Sequence, residues 1–484
     1  MSHALSSSAT LPCCAPIAAA LARKGARPCL TGLHGSTAGF ALTQLMHPRA
    51  GVLGSEPWLI VTKTDEAAER LCEDLRFYHG LQGVPVTALA LFPRWETLPY
   101  ESTAPHVGLI ARRMNALHQI RSMPAAKVVT SIEAVMQRLM PVDTFQHTVL
   151  QFKVGAGIER EVLTAGLLRL GYRRVSVVEI PGEFSIRGGI VDIFSTAYAE
   201  PLRVEFLGET VESLRLFDPA TQKSTAKMDR AMVLPAREYL KPDTAADALA
   251  PIAADAEWRA PDLYGQMHSL LDYFPTQPIL ALDQPAALKQ SCADLWERID
   301  DGYLRHSDKE DVSYPSPERL FLTWRDIMDR TAECTQLALE PLAAAEGSWE
   351  PVQAFPGQVP ASAGLGARGT PFSQTLSILE HLREACRVLL VARSRGQVDR
   401  LLALLREHDV PAIEWSTASW STSTDTRAPF FVLNGDLSAG FLSSELRLAI
   451  LTEEELFAKG ARHKPQAKSK AATFILPQRC GPVT

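Results

Sequence analysis

Residues 32 to 39 have the outline of a loop that could hold phosphate groups. The segment lies between a short apolar run and a helical pattern, where nucleotide-binding proteins place a phosphate loop. A working loop, G-x-x-x-x-G-K-[ST], uses its second glycine for close backbone approach, its lysine for the β- and γ-phosphates and its hydroxyl for magnesium. Here those three places hold Thr37, Ala38 and Gly39. The residues of this degenerate phosphate loop are Gly32, Gly35, Ser36, Thr37, Ala38 and Gly39.

Without the lysine and the hydroxyl, the loop lacks the charge that offsets a triphosphate and a ligand for its magnesium ion. We therefore expect no tight Mg-ATP binding and no hydrolysis at this loop. An equally simple interpretation is a glycine-rich turn between a strand and a helix. Both interpretations exclude catalysis.

Acidic residues that could serve such a loop follow two apolar runs. The run 448–451 leads into Thr452, Glu453, Glu454 and Glu455. This segment superficially resembles the acidic motif that holds a metal ion and a water molecule beside a phosphate loop. Carboxylates that open a helix are favoured by the helix dipole alone, so a structural role is the better interpretation. Asp65 and Glu66 follow Thr64 in the same manner, and Thr64 is suited to cap a helix. The sequence thus predicts no catalytic residue.

Other catalytic patterns are missing from the sequence. The histidines show no H-x-x-x-H or H-E-x-x-H spacing, the cysteines form no C-x-x-C pair, and no G-x-S-x-G elbow presents a serine. A net charge of −6 over 484 residues indicates no global affinity for nucleic acid. No apolar run reaches the roughly 18 residues of a membrane span. We expect a cytoplasmic protein without metal or cofactor.

The elements around these residues indicate more than one domain, because hydrophobic cores stop growing near about 250–300 residues. From residue 29 to about 140, apolar runs alternate with helical stretches, which predicts an α/β fold with a parallel sheet. Short strands separated by glycine turns follow, and a second α/β pattern appears after a segment rich in glycine and proline. The predicted boundaries are 1–145 and 219–346 for the two halves of the first domain, 146–218 for an inserted β-rich domain, 347–370 for a linker, 371–458 for a small α/β domain and 459–484 for a disordered tail.

The inserted segment carries the densest pattern of charged, aromatic and glycine residues. Between Gln151 and Arg215 there are eight Arg and Lys residues and nine Asp and Glu residues. This mixture of signs suits a protein partner better than a phosphate backbone. Arginine can pair with a carboxylate through two hydrogen bonds, and a neighbouring aromatic side chain can anchor an interface. A solvated sheet face is the plain alternative.

These segments resemble a known family. The resemblance rests on 92–101 (FPRWETLPYE), 128–134 (VVTSIEA), 181–194 and 203–219, and covers roughly residues 15 to 458. The chain is similar to the N-terminal part of bacterial transcription-repair coupling factors, and more distantly to the excision subunit UvrB. The resemblance implies a degenerate helicase-like, UvrB-like domain with an inserted β-rich domain, followed by a second small α/β domain. Since only a few residues separate Tyr100 from the helix at Leu109, there is no room for the DNA-gripping hairpin of UvrB.

In that family the inserted domain binds UvrA, so the resemblance implies a UvrA-recruiting adaptor in transcription-coupled nucleotide-excision repair. We expect this chain to contact DNA only indirectly. In the family, RNA polymerase is bound and DNA is translocated by further domains, which we do not find in this sequence. We therefore expect a truncated or frame-shifted product. The predicted UvrA contacts are Arg173, Glu183, Phe184, Arg187, Glu205 and Phe206.

Two alternatives remain open at this point. The first is a DNA-dependent ATPase of the excision-repair type, which Ala38 argues against. The second is a module whose UvrA-binding surface is masked by another domain of the longer family members.

Overall fold

The structure is a computed structural model. It describes residues 14–47, 52–83, 89–240, 252–342, 349–357, 372–415 and 429–457, without positions 24, 102, 254 and 353 and the stretch 308–313. The tail predicted for 459–484 and most of the linker predicted for 347–370 lie outside these residues. Among the described helices, none is both long and apolar enough to cross a membrane.

The first α/β unit is built on a seven-stranded parallel sheet. Its strand order is β15-β1-β14-β13-β2-β4-β3. The central strands are buried at nearly every position, as expected when helices cover both faces of a parallel sheet. The strands are β1 (Pro28–Leu30), β2 (Trp58–Thr62), β3 (Leu89–Phe92), β4 (Lys127–Ser131), β13 (Ile279–Asp283), β14 (Gln336–Leu339) and β15 (Glu350–Pro351).

Helices of different lengths connect these strands. In α4 the hydroxyl oxygen of Thr64 accepts a hydrogen bond from the N–H of Ala67, so the predicted capping role is confirmed. The helices are α1 (Ala15–Leu21), α2 (Thr37–Met46), α3 (Val52–Ser55), α4 (Asp65–Leu81), α5 (Val107–Ser122), α6 (Ile132–Met136), α7 (Val142–His147), α9 (Ala260–Tyr264), α10 (Pro285–Ser307), α11 (Pro317–Leu320) and α12 (Trp324–Arg330), with short 3-10 helices at Ala256–Arg259 and Leu270–Tyr273.

The inserted unit contains a six-stranded sheet of order β11-β10-β9-β8-β7-β6 and a two-stranded sheet of β12 and β5. Neighbours in the larger sheet are antiparallel except β6 and β7, which are parallel. The elements are β5 (Leu150–Lys153), α8 (Arg160–Arg169), β6 (Arg173–Arg174), β7 (Glu183–Arg187), β8 (Ile190–Ile193), β9 (Leu202–Leu207), β10 (Thr210–Phe217), β11 (Ser224–Met228) and β12 (Arg230–Val233).

The boundary predicted at residue 218 is too early. Strand β11 pairs with β10, and β12 pairs with β5 at the start of the inserted unit. Both strands are needed to complete sheets that begin before residue 218, so the unit extends to Val233. Strand β11 is hard to predict from sequence because it is almost entirely exposed and has no apolar alternation.

The predicted linker also begins too early. Its residues Glu350 and Pro351 form β15, which pairs in parallel with Pro28 and Cys29 of β1. Phe355, a few residues further on, is 2% exposed and belongs to the hydrophobic core. A two-residue edge strand that contains one proline carries no local pattern, so the sequence around it predicts a linker.

The second α/β unit has a five-stranded sheet of order β17-β18-β16-β20-β19, in which only β19 is antiparallel to its neighbour. Its elements are α13 (Phe372–Ala385), β16 (Arg387–Ala392), α14 (Arg395–Glu407), β17 (Ala412–Glu414), β18 (Phe430–Asn434), β19 (Phe441–Ser443), β20 (Leu448–Thr452) and α15 (Glu453–Leu456). The predicted α/β class, a parallel-sheet domain with a β-rich insertion and a second small α/β domain, is confirmed.

The two faces of the second sheet pack against different partners. Side chains such as Leu390, Val432 and Leu451 form a cluster with Leu401 and Leu405 of α14. Those that alternate with them, including Leu389, Phe431 and Ile450, share one cluster with Phe40 and Trp58 of the first unit. The two α/β units therefore have a common hydrophobic core.

Candidate functional site

The six-stranded sheet of the inserted unit has one polar and one apolar face, because successive side chains of a strand point to opposite sides. Cross-strand pairing places Ser185 opposite Asp192, Asp192 opposite Arg203 and Arg203 opposite Arg215. We call this side the polar sheet face. It comprises Glu183, Ser185, Arg187, Ile190, Asp192, Arg203, Glu205, Ser213, Arg215 and Lys227.

Two of the predicted contact residues, Phe184 and Phe206, lie on the apolar face of the sheet. Phe184 is 0% exposed and Phe206 is 8% exposed, and both belong to the large hydrophobic core together with Leu163 and Leu167 of α8. Phe184 directly follows Glu183 in β7, so the two side chains cannot both lie on one face. Phe184 and Phe206 are therefore core residues rather than partner contacts.

At one end of the polar sheet face, Arg173 of β6 is paired with Glu183 of β7. The Arg173 Nη2 to Glu183 Oε1 distance is 2.6 Å, and Glu183 Oε2 accepts hydrogen bonds from the N–H groups of Glu179 and Ile180. Burial alone would raise the pKa of Glu183, but these hydrogen bonds and the Arg173 charge together lower it. The Glu183 side chain is 7% exposed and that of Arg173 is 71% exposed, so Arg173 is the accessible member.

At the centre, two arginines converge on Asp192. Arg187 Nη2 lies 2.5 Å from Asp192 Oδ2, and Arg203 Nε lies 2.7 Å from Asp192 Oδ1. The Arg187 side chain is about half exposed, whereas Asp192 is buried. The predicted contact residue Arg187 is thus at the surface, where it forms an ion pair with the buried Asp192.

Further along the same face, Glu205 has two partners. Its Oε2 lies 3.3 Å from Nη2 of Arg215 and accepts a hydrogen bond from the Ser213 hydroxyl. The Glu205 side chain is 28% exposed. Of the six predicted contacts, Arg173, Arg187 and Glu205 thus have accessible side chains on this sheet, and their role in binding stays a prediction.

Exposed apolar side chains lie near the polar sheet face. Leu207 is 71% exposed and continues the alternation of Arg203 and Glu205 along β9. Val177 and Ile180 are 45% and 46% exposed in the segment before β7. Sequence reasoning missed all three, although the alternation of β9 could have identified Leu207. These three side chains add exposed apolar surface to a region that is otherwise rich in charged residues.

In the degenerate phosphate loop, the hydroxyl side chains are turned inward. The Ser36 hydroxyl lies 2.6 Å from the Tyr78 hydroxyl of α4, and the Thr37 hydroxyl donates to the carbonyl oxygen of His34 at 2.7 Å. Both side chains are buried. These groups are engaged in internal packing rather than presented to a ligand.

Later parts of the chain pack directly against this loop. Gly35 has φ +57°, and a Cβ built on it would lie 2.4 Å from the carbonyl oxygen of Gly440 in the second unit. A Cβ on Gly39 would lie 2.7 Å from the Cβ of Asp74, and Asp74 in turn accepts hydrogen bonds from the N–H and hydroxyl of Ser438 at 2.7 Å. The missing side chains of the loop thus make room for neighbouring backbone and helix.

The acidic residues that follow β20, Glu453 to Glu455, form the first turn of α15, and Glu455 has a structural role there. Glu455 Oε2 accepts hydrogen bonds from the N–H and hydroxyl of Thr452, which forms a capping box, and Oε1 accepts from the N–H of Gly440. Both carboxylate oxygens are engaged. Within the described ranges, no group of three His, Cys, Asp or Glu side chains could hold a metal ion.

Comparison with known proteins assigns two of these regions. Residues 150–239 match the UvrB interaction domain, and this match ends close to Val233, where the inserted unit ends. Residues 383–456 match the MFD D3 domain, which corresponds to most of the second α/β unit.

The chain is also similar to individual proteins. It is 28% identical to the transcription-repair-coupling factor of Myxococcus xanthus over 93% of this chain and 40% of that protein. The corresponding factor of Bacillus subtilis is 23% identical over 90% of this chain and 39% of that protein. For Mycobacterium bovis the values are 33% identity over 49% of this chain and 22% of that protein.

The chain therefore spans about two fifths of the length of the relatives from Myxococcus xanthus and Bacillus subtilis. Both domain matches fall in the order and spacing that the fold shows, with the inserted unit before the second α/β unit. In this combination of domains, and along about nine tenths of its length, the chain is similar to transcription-repair-coupling factors.

Proposed function

We propose that this chain acts as an adaptor that recruits UvrA in transcription-coupled nucleotide-excision repair, and that the polar sheet face is the docking surface. The observation that carries the proposal is the coincidence of the UvrB interaction domain match with the unit that presents this face. Transcription-repair coupling is the function that the names of its relatives state.

The geometry of the face supports this proposal. Arg173 and Arg187 are held by carboxylates at their inner edges while their side chains remain 71% and 49% exposed. Arginines oriented in this way are frequent energetic centres of protein interfaces. Leu207 and Ile180 provide apolar surface beside them.

We further propose that the degenerate phosphate loop does not hydrolyse ATP and that this part of the protein needs no cofactor. Ala38 replaces the lysine, and the hydroxyls of Ser36 and Thr37 are engaged internally. The competing function is a DNA-dependent ATPase. The acidic residues after β20 do not support it, because Glu455 forms a helix capping box with Thr452. DNA-stimulated phosphate release by the purified chain would establish that alternative.

The docking proposal is tested with Arg187→Ala. Truncating a central arginine of an interface costs about 2 kcal/mol or more, so the affinity for purified UvrA should fall tenfold or more. The melting temperature should stay nearly unchanged, because Arg203 still donates to both carboxylate oxygens of Asp192 when the Arg187 side chain is removed. Affinity is measured by biolayer interferometry and stability by thermal unfolding.

The matched control is Arg325→Ala, since Arg325 is an 89% exposed arginine on α12, outside the inserted unit. It should leave UvrA binding unchanged. Equal binding by Arg187→Ala and the wild type would refute the assignment of Arg187, and a wild-type chain that fails to bind UvrA would refute the proposed function itself.

A further inference from the structure

Asp192 is the most buried charged residue of the polar sheet face. The residue is 1% exposed, although it lies on the same side of the sheet as the half-exposed Arg187. Its Oδ1 accepts a hydrogen bond from Arg203 Nε at 2.7 Å, and its Oδ2 accepts from Arg203 Nη2 at 3.0 Å and from Arg187 Nη2 at 2.5 Å. The two arginine side chains therefore cover the carboxylate.

The two arginines differ in how firmly they are held. Arg203 makes a paired contact with Asp192, lies 4.4 Å above the ring of Phe217 and donates to the backbone and side-chain oxygens of Gln222. Its side chain is 15% exposed. Arg187 meets the same carboxylate through Nη2 and is 49% exposed. Arg203 is thus held at more points than Arg187.

The charges of this group do not cancel. One carboxylate faces two guanidinium groups, so the three side chains carry a net charge of +1, and the exposed part of that charge is on Arg187. A guanidinium has five N–H donors, of which the contact with Asp192 engages one edge. A carboxylate is the group that matches the remaining fork, through two parallel hydrogen bonds.

We propose that Asp192 is the positioning residue for Arg187, and that Arg187, so oriented, takes a carboxylate of the partner protein. This inference rests on the proposed function, since it deepens the docking role of the polar sheet face. Asp192 itself touches no partner; it acts by presenting the outer edge of Arg187 in one orientation.

The positioning role is tested by a double-mutant cycle with purified UvrA. Asp192→Asn removes the charge, and Asp192→Glu keeps the charge that Arg203 needs while displacing it by one methylene group. Each should weaken UvrA binding by about tenfold in the wild-type background and by less than about twofold in the Arg187→Ala background. Circular dichroism and thermal unfolding establish that each variant is folded at the assay temperature.

Asp192→Asn leaves Arg203 without its counter-charge and can lower stability. Asp192→Glu keeps that charge, so the test does not depend on Asp192→Asn being folded. Equal losses of affinity in both backgrounds for the folded Asp192→Glu would show that Asp192 acts only on the sheet and would overturn the inference. If the wild-type chain binds and the losses are equal, the proposed function stands and this inference falls. If the wild-type chain does not bind UvrA, both fall.

The chemistry of the partner group is tested by charge at position 187. If Arg187 takes a carboxylate, affinity should decrease from wild type to Arg187→Gln and further to Arg187→Glu, and the difference between the two variants should shrink at high salt. Binding by Arg187→Glu that equals or exceeds that of Arg187→Gln would exclude a carboxylate.

Discussion

At the scale of single residues, Asp74 shows how a charged side chain is used between the two α/β units. Its carboxylate lies on α4 and accepts two hydrogen bonds from Ser438 of the second unit. Burial raises the pKa of Asp74 from 3.8 to about 7; the bonds from Ser438 and the charge of Arg70 act in the opposite direction, and Glu73 adds to the increase. A protonated Asp74 can still donate to the Ser438 hydroxyl, so the contact is compatible with the neutral form.

This pKa predicts a pH dependence of stability. The folded state holds the Asp74 proton more tightly than the unfolded chain, so this contribution is complete below pH 3.8 and is lost as the pH rises through about 7. Asp74→Asn has the same shape and no charge, so its free energy of unfolding relative to wild type should increase between pH 5 and pH 8. Urea unfolding at several pH values measures it.

The control for that series is Glu69→Gln, an exposed carboxylate on the same helix. Its difference from wild type should stay constant over the same pH range. A constant difference for Asp74→Asn as well would show that Asp74 does not titrate in this range.

At the scale of elements, the packing of α2 against α4 requires a glycine where a working phosphate loop has a hydroxyl residue. A Cβ on Gly39 would come within 2.7 Å of the Asp74 Cβ. Gly39→Ser should therefore destabilise the protein by about 1–3 kcal/mol, as is typical of overpacking. Ala38→Ser, at the half-buried neighbouring position, should change stability much less. Similar urea midpoints for the two variants would contradict the packing argument.

Most elements could be predicted from sequence because their signals are local. The apolar run at Trp58 predicts β2, and the helical periodicity from Gln397 to Glu407 predicts all of α14 except its first two residues. The alternation in β7 places Phe184 on the face opposite Glu183, so the prediction of both as surface contacts conflicts with the strand pattern. β15 could not be predicted, since its two residues are a strand only because β1 lies beside them.

The candidate site was predictable in outline but not in detail. The position of Arg187 at a glycine turn is visible in the sequence, whereas its tether to Asp192 depends on the pairing of β7 with β8. The contact between Gly35 and Gly440 joins residues that are distant in sequence, and no local pattern signals it.

At the scale of the whole molecule, the common core makes the two α/β units depend on each other. Phe441 is 0% exposed, and its ring centre lies 5.3 Å from that of Phe40 and 6.3 Å from that of Phe355. Phe441→Ala should cost about 3–5 kcal/mol, the usual range for a buried phenylalanine. Hydrogen exchange should accelerate in α2 as well as in β19.

The matched control is Leu405→Ala, which removes an equally buried side chain from α14, the helix that packs on the other face of the second sheet. Its faster exchange should be confined to the second unit. Exchange in α2 that is unaffected by Phe441→Ala would show that the units do not stabilise each other.

The contact between Phe40 and Phe441 also has a consequence for the chain during its synthesis on the ribosome. Phe40 belongs to a core that also needs Phe355 and Phe441. At about 5–20 residues per second, the roughly 400 residues between Phe40 and Phe441 take about 20 to 80 seconds to translate. Throughout that interval Phe40 lacks the Phe441 ring that packs against it in the folded protein, so we expect the nascent chain to expose more of this aromatic side chain until the second unit emerges.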